Sequence, residues 1–198
     1  MNIEHLKQAE VFVFLAAVFL ISASFLEMQR KENPPIIILS EQNQQYRFSL
    51  GSAKIPHQFK EQLVTRIIPL LDSLSQIYHC DAIEVVGHTD GVPIRNTNSN
   101  LDRFLVPAFN HGQVEALNPG SNVDLGMMRS LAIIQILQDS KKKGWLKHIR
   151  YFFPYSAGQM IQLDKSLTSR NLIKNNKARR RIEIRLLNST THDIQSFF

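Results

Sequence analysis

Hydrophobic positions fall into two regimes along this chain. From Val11 to Leu26 the sequence reads VFVFLAAVFLISASFL, apolar on every side and interrupted only by Ser22 and Ser24. Extended outward to Leu6 and Met28, with Lys7, Glu10, Glu27 and Arg30 at headgroup level, the run approaches the roughly 20 residues with which a helix spans about 30 Å of hydrocarbon. One membrane helix is therefore expected within segment 1–30. A cleaved secretory signal is the other reading, since Ser22 and Ser24 are small enough to serve a peptidase, although the run exceeds the roughly 7–15 residues of a signal core. Lys7 on one side and Arg30 and Lys31 on the other do not decide the orientation.

Beyond this run the apolar residues are patterned in shorter units. Gln29 to Pro35 is polar and ends in Pro-Pro, and segment 31–45 reads as a linker with a first short strand at Ile36 to Leu39. Tyr46 to Leu50 alternates and predicts a strand. After Pro56, residues Phe59, Leu63, Ile67, Leu70, Leu71, Leu74 and Ile77 share one helical face, with Pro69 predicting a kink or break. Ala82 to Val86 predicts a buried strand. Pro93 to Ser121, rich in Asn and Pro, reads as a long loop, with 95–120 as an insertion, functional or disordered. Ser121 and Asp124 form a capping-box-like start for a helix to about Asp139, and Lys141 to Lys143 with Gly144 end it. Arg150 to Tyr155 predicts a third strand, 156–169 a loop, and Arg181 to Leu187 a strand with one face buried. The order β-α-β-α-β-(α)-β implies an α+β sandwich with helices on one face of a mixed sheet, over 46–190, followed by a tail, 191–198.

The chain has 198 residues, 43% of them hydrophobic, which excludes a wholly disordered protein. A share of that content sits in the first apolar run, leaving one domain of about 150 residues, an ordinary size. A single cysteine, Cys80, excludes an intramolecular disulfide and a multi-Cys zinc site, and no cofactor is expected. The net charge of +6 invites a polyanionic partner. Lys141 to Lys143, however, sit at a helix end, while Arg179 to Arg181 lead into a strand whose Glu183 and Arg185 read as a solvated face. Nucleic acid is accordingly not expected.

Among candidate chemistries, His88, Asp90 and Ser156 allow a triad to be written, but no Gly-x-Ser-x-Gly elbow supports it, and no metal-ligand spacing accompanies His88. The reading is a non-enzymatic binding module. Asn122, Leu125 and Arg129 share one helical face, and Asp90 ends the strand before that helix. A carboxylate, a guanidinium and free N–H groups around one cleft suit a zwitterion. An Asp90–Arg129 salt bridge that ties strand to helix is the plain alternative.

The segments IEVVGHTDGVPI from Ile83, NVDLGMMRSLAIIQIL from Asn122, RYFFPYSAGQ from Arg150 and ARRRIEIRLL from Ala178 together resemble the OmpA/MotB-type peptidoglycan-binding domain, across roughly Tyr46 to Leu187. The resemblance implies non-covalent binding of the diaminopimelate of a peptidoglycan stem peptide. Asp90 and Arg129 match the residues that grip its ammonium and carboxylate, Asn122 and Leu125 those that shape the cleft, and Thr89 and Gly91 flank Asp90. Arg179, Arg180 and Arg181 match an N-R-R motif, which makes Arg180 a further candidate ligand-binding residue; the chain departs from the motif in having Arg in place of Asn, and Gly126 stands where Ser is usual. The resemblance further implies a bacterial inner-membrane, single-pass protein with its C-terminal domain in the periplasm. The bilayer, peptidoglycan, a MotA/ExbB-like channel subunit and a second copy in a homodimer are the partners implied. A stator subunit of an ion-driven motor, with Glu10 as ion relay, is the alternative function.

Overall fold

In the computed structural model the described residues are 12–22, 33–95, 98–168 and 174–189. The chain divides into two compact units, Met1–Asn33 and Pro34–Phe198. In the first, helix α1 covers 12–22, about 16 Å at 1.5 Å per residue, with its large apolar side chains exposed. Among the described residues no helix is long and apolar enough to cross a membrane. The flanks of the expected span lie outside the described residues, as does Glu10.

The second unit is built on a mixed four-stranded sheet of order β1-β4-β2-β3. Its strands are β1 (Ile37–Ser40), β2 (Ala82–His88), β3 (Tyr151–Gly158) and β4 (Arg181–Leu187). Strand β4 pairs antiparallel with both β1 and β2, whereas β2 and β3 run parallel. A parallel pair needs a crossover, supplied here by α4 (Leu101–Asn110) and α5 (Asn122–Lys142). Helices α2 (His57–Gln62) and α3 (Ile68–Ile77) precede β2. Alternation puts Ile83 and Val85 of β2 and Ile182, Ile184 and Leu186 of β4 on one face, where they form a core with Leu63, Ile68 and Leu71, and with Ile133, Ile134 and Leu137 of α5. The lone cysteine, Cys80, is buried in this core, and burial raises its thiol pKa.

Four expectations from the sequence change. Tyr46 to Leu50 is not a strand: a single 3₁₀ turn, Gln44–Tyr46, is followed by irregular backbone that delivers Phe48 to the core and the Ser49 carbonyl to Arg129. Pro69 does not end the helical run: it stands in the first turn of α3, just after a π turn at Leu63–Ile67 that joins α2 to α3. The 95–120 stretch is not a structureless loop. It holds α4 and a 3₁₀ turn, Val114–Ala116, docked on α5 by a second apolar cluster of Leu101, Val114, Leu117, Met128 and Leu131.

The fourth change concerns β4, whose polar face is not solvated: Arg181 and Glu183 are each 5% exposed. Glu183 Oε1 lies 3.2 Å from His88 Nε2 and 3.0 Å from Arg181 Nε, and its Oε2 accepts from Arg185 Nη2 at 2.7 Å. His88, against burial and reinforced by the two arginines, holds the Glu183 carboxyl far below the usual carboxylate range.

Two glycines let the sheet and α5 touch backbone to backbone. A Cβ at Gly87 would overlap the carbonyl oxygen of Gly126, and a Cβ at Gly126 would overlap Ser156 Oγ. Helix α5 therefore lies directly on the end of β2, which brings its N-terminal turn beside the residues that follow His88.

Candidate functional site

The site starts where β2 ends. A register shift at Gly87/His88 interrupts pairing with β3, Thr89 N donates to Gly158 O at 2.8 Å, and the chain then turns. Asp90 holds that turn: its Oδ1 accepts from Val92 N at 3.2 Å, an Asx turn. Ser121 caps α5 as expected, with its Oγ accepting from Asp124 N at 3.1 Å, while Asp124 reaches back to Gly120 N at 2.8 Å. Asn122 Nδ2 donates to Val92 O at 3.0 Å, tying the helix start to the Asp90 turn across 30 residues.

A cavity of about 630 Å³ opens between these segments. Thr89, Asp90, Asn122, Leu125, Arg129 and Arg180 all line it. Gly91 is buried in the turn but does not line the cavity. The insertion contributes Arg95 and Glu115, both exposed, together with Leu117, Asn118 and Pro119.

The expected Asp90–Arg129 salt bridge does not form. Asp90 Oδ2 accepts from Arg180 Nη1 and from Asn176 N, the latter at 3.2 Å. Arg180 Nε also donates to Glu41 Oε2 at 2.7 Å, and Glu41 Oε1 lies 3.9 Å from Arg129 Nη2. The four charges form a buried chain, Arg129–Glu41–Arg180–Asp90, each between 2% and 6% exposed. Burial acts against the Arg180 cation, but Glu41 and then Asp90 outweigh it and hold its pKa above the ordinary arginine value.

Arg129 is set differently. Its Nε donates to Ser52 O at 3.1 Å and its Nη2 to Ser49 O at 3.4 Å, and its guanidinium carbon stands 4.7 Å from the centre of the Phe48 ring. Burial pulls its pKa down to about 10, with Glu41 opposing, so it stays charged at neutral pH. Its Nη1 donates no hydrogen bond among the described residues. Thr89 Oγ1 is likewise buried with no hydrogen-bond partner among the described residues, and Thr89 lines the same cavity.

The triad is not assembled. Ser156 Oγ donates to Val123 O at 2.7 Å, His88 faces Glu183, and Asp90 faces Arg180. Among the described residues no cluster of three His, Cys, Asp or Glu side chains is arranged to hold a metal ion. Arg179, Arg180 and Arg181 are 5%, 6% and 5% exposed, so they do not present a basic surface.

Glu41 was not singled out from the sequence, nor were the Ser49 and Ser52 carbonyls. An acidic residue one position past a four-residue edge strand carries no periodic signal, and backbone acceptors carry none at all.

No family model matches this chain, and no curated protein matches it. A solved structure of a MotB like protein from Desulfovibrio vulgaris is similar to it, with 14% identity and a TM-score of 0.45, over 77% of this chain and 74% of that one. A likeness at that level carries nothing about the ligand.

Proposed function

We propose that the Pro34–Phe198 unit binds peptidoglycan non-covalently through the diaminopimelate of a stem peptide, and that the apolar run at 11–26 anchors the chain to a membrane. The observation that carries the reading is the pairing of unused polar capacity with a balanced charge. Among the described residues Arg129 Nη1 and Thr89 Oγ1 have no hydrogen-bond partner, Asp90 Oδ1 accepts one hydrogen bond, and all three residues line one cavity. The two carboxylates and two guanidiniums behind it cancel, so a ligand with one ammonium and one carboxylate enters without leaving a net buried charge. Diaminopimelate as the zwitterion follows from the motif resemblance over Tyr46 to Leu187. In this arrangement the ligand carboxylate takes the free edge of the Arg129 fork and its ammonium the open lone pair of Asp90.

The test is co-sedimentation of the full chain with isolated sacculi. Asp90→Ala and Arg129→Ala are expected to lose binding, and free diaminopimelate to compete with wild type. If both variants sediment as wild type does, the site is wrong. Arg129→Lys separates shape from charge, because a single ammonium cannot replace the fork and is expected to recover little binding.

A further inference from the structure

Three consecutive arginines are buried to the same extent, and they are not partnered alike. Arg180 has Glu41 and Asp90, and Arg181 has Glu183. Arg179, 5% exposed, has no carboxylate within ion-pair distance among the described residues. Its Nη2 donates to Gln159 O at 2.5 Å, and its Nε is buried with no acceptor. A buried guanidinium left in this way is costly, because charges removed from water are ordinarily paired.

The unpaired group borders a second cavity of about 290 Å³, lined by Gln162, Leu163, Asp164, Lys174, Asn176 and Arg179. Lys174 is exposed and brings a second cation. Asp164 is engaged locally: its Oδ1 accepts from Ser166 N at 2.9 Å and Ser166 Oγ at 2.6 Å. Among the described lining residues, two cations against one carboxylate leave a net positive charge. Arg179 lines this cavity with its Nε–H buried and short of an acceptor, and a guanidinium fork is the donor geometry that an oxyanion accepts.

We propose that Arg179 and Lys174 form an oxyanion subsite, distinct from the cavity at Asp90, that takes a carboxylate or phosphate group. One turn of chain separates the two cavities. Asn176 lines the smaller one while its N–H donates to Asp90 in the larger, and Arg179 and Arg180 are neighbours in sequence. If the proposed function holds, a second acidic group on the same ligand would fill this subsite.

The experiment titrates the isotopically labelled full chain with acetate and, separately, with inorganic phosphate at constant ionic strength, following arginine Nε–H resonances. Sodium chloride is the control. The Arg179 Nε–H resonance is expected to shift saturably with at least one oxyanion and not with chloride. A response to acetate alone assigns the subsite to carboxylates, and one to phosphate alone assigns it to phosphoryl groups. Lys174→Gln, at an exposed position, is expected to raise the apparent Kd at least threefold, and Arg179→Gln to abolish the accompanying shifts of the Leu163 and Asp164 amides. No saturable shift with either oxyanion, an equal response to chloride, or a Kd unchanged in Lys174→Gln overturns the proposal. None of these readouts depends on sacculus binding, so this proposal and the function above fail separately.

Discussion

The Arg180 guanidinium donates through Nη1 to Oδ2 of Asp90, joining the turn after β2 to the turn before β4 across 90 residues. Both groups are buried, and Arg180 holds Glu41 as well. Removing one member of a buried pair leaves the other charge uncompensated. Arg180→Met is expected to lower unfolding stability by about 3–5 kcal/mol in urea denaturation. In the double variant Asp90→Asn/Arg180→Met the loss should fall short of the sum of the single losses by about 1 kcal/mol or more. Strict additivity would mean that the two groups are not coupled.

Glu41 is the acid between two arginines, so its loss should exceed that of an acid on the cavity rim. Glu41→Gln is expected to cost about 3 kcal/mol, whereas Glu115→Gln, exposed, should stay within about 0.5 kcal/mol of wild type. Comparable effects from the two changes would show that Glu41 is not holding the charged chain together.

The contact between Gly87 and Gly126 leaves no room for a methyl group. Gly87→Ala places a Cβ against rigid backbone of α5, and a loss of about 3 kcal/mol or more is expected, at the upper end for overpacking. Gly126→Ala meets the Ser156 hydroxyl and, at 2.9 Å, the Gly87 carbonyl oxygen, so the double change Gly126→Ala/Ser156→Gly should recover only part of the loss. Thermal unfolding of the three variants measures this directly.

Glu183 dictates an acid limb in stability. Its folded pKa is depressed below its unfolded value of about 4.3, so the stability it contributes is complete above roughly pH 5 and is lost as pH falls through that range toward the folded value. Urea unfolding between about pH 7 and pH 3 should show stability declining with acid, and Glu183→Gln should flatten that decline while lowering stability at neutral pH. An acid limb of the same slope in the variant would exclude Glu183 as its origin.

How much of this was legible in the sequence differs from element to element. The α5 start at Ser121, the β2 strand and the positive-φ Gly144 beyond α5 could all be read, because each depends on neighbours within about four residues. Helix α4 could not, since Pro107 inside it and the Asn-rich flanks argue locally for a loop. It is held by Leu101, Val114 and Leu117 packing on Met128 and Leu131, a tertiary contact. The buried polar face of β4 was misread for the same reason, because alternation marks which residues share a face and says nothing of what covers it.

The candidate site divides along the same line. The sequence alone put Asn122, Leu125 and Arg129 on one helical face and Asp90 at a strand end, because helical and strand periodicities are set by local backbone geometry. Which charge pairs with which was decided only by the tertiary structure. Arg180 took the place expected of Arg129 opposite Asp90, Glu41 entered from 139 residues away, and the buried Nε of Arg179 was left with no acceptor among the described residues. Ion pairing falls off with distance in space and strengthens with burial, and neither quantity is a function of separation along the chain.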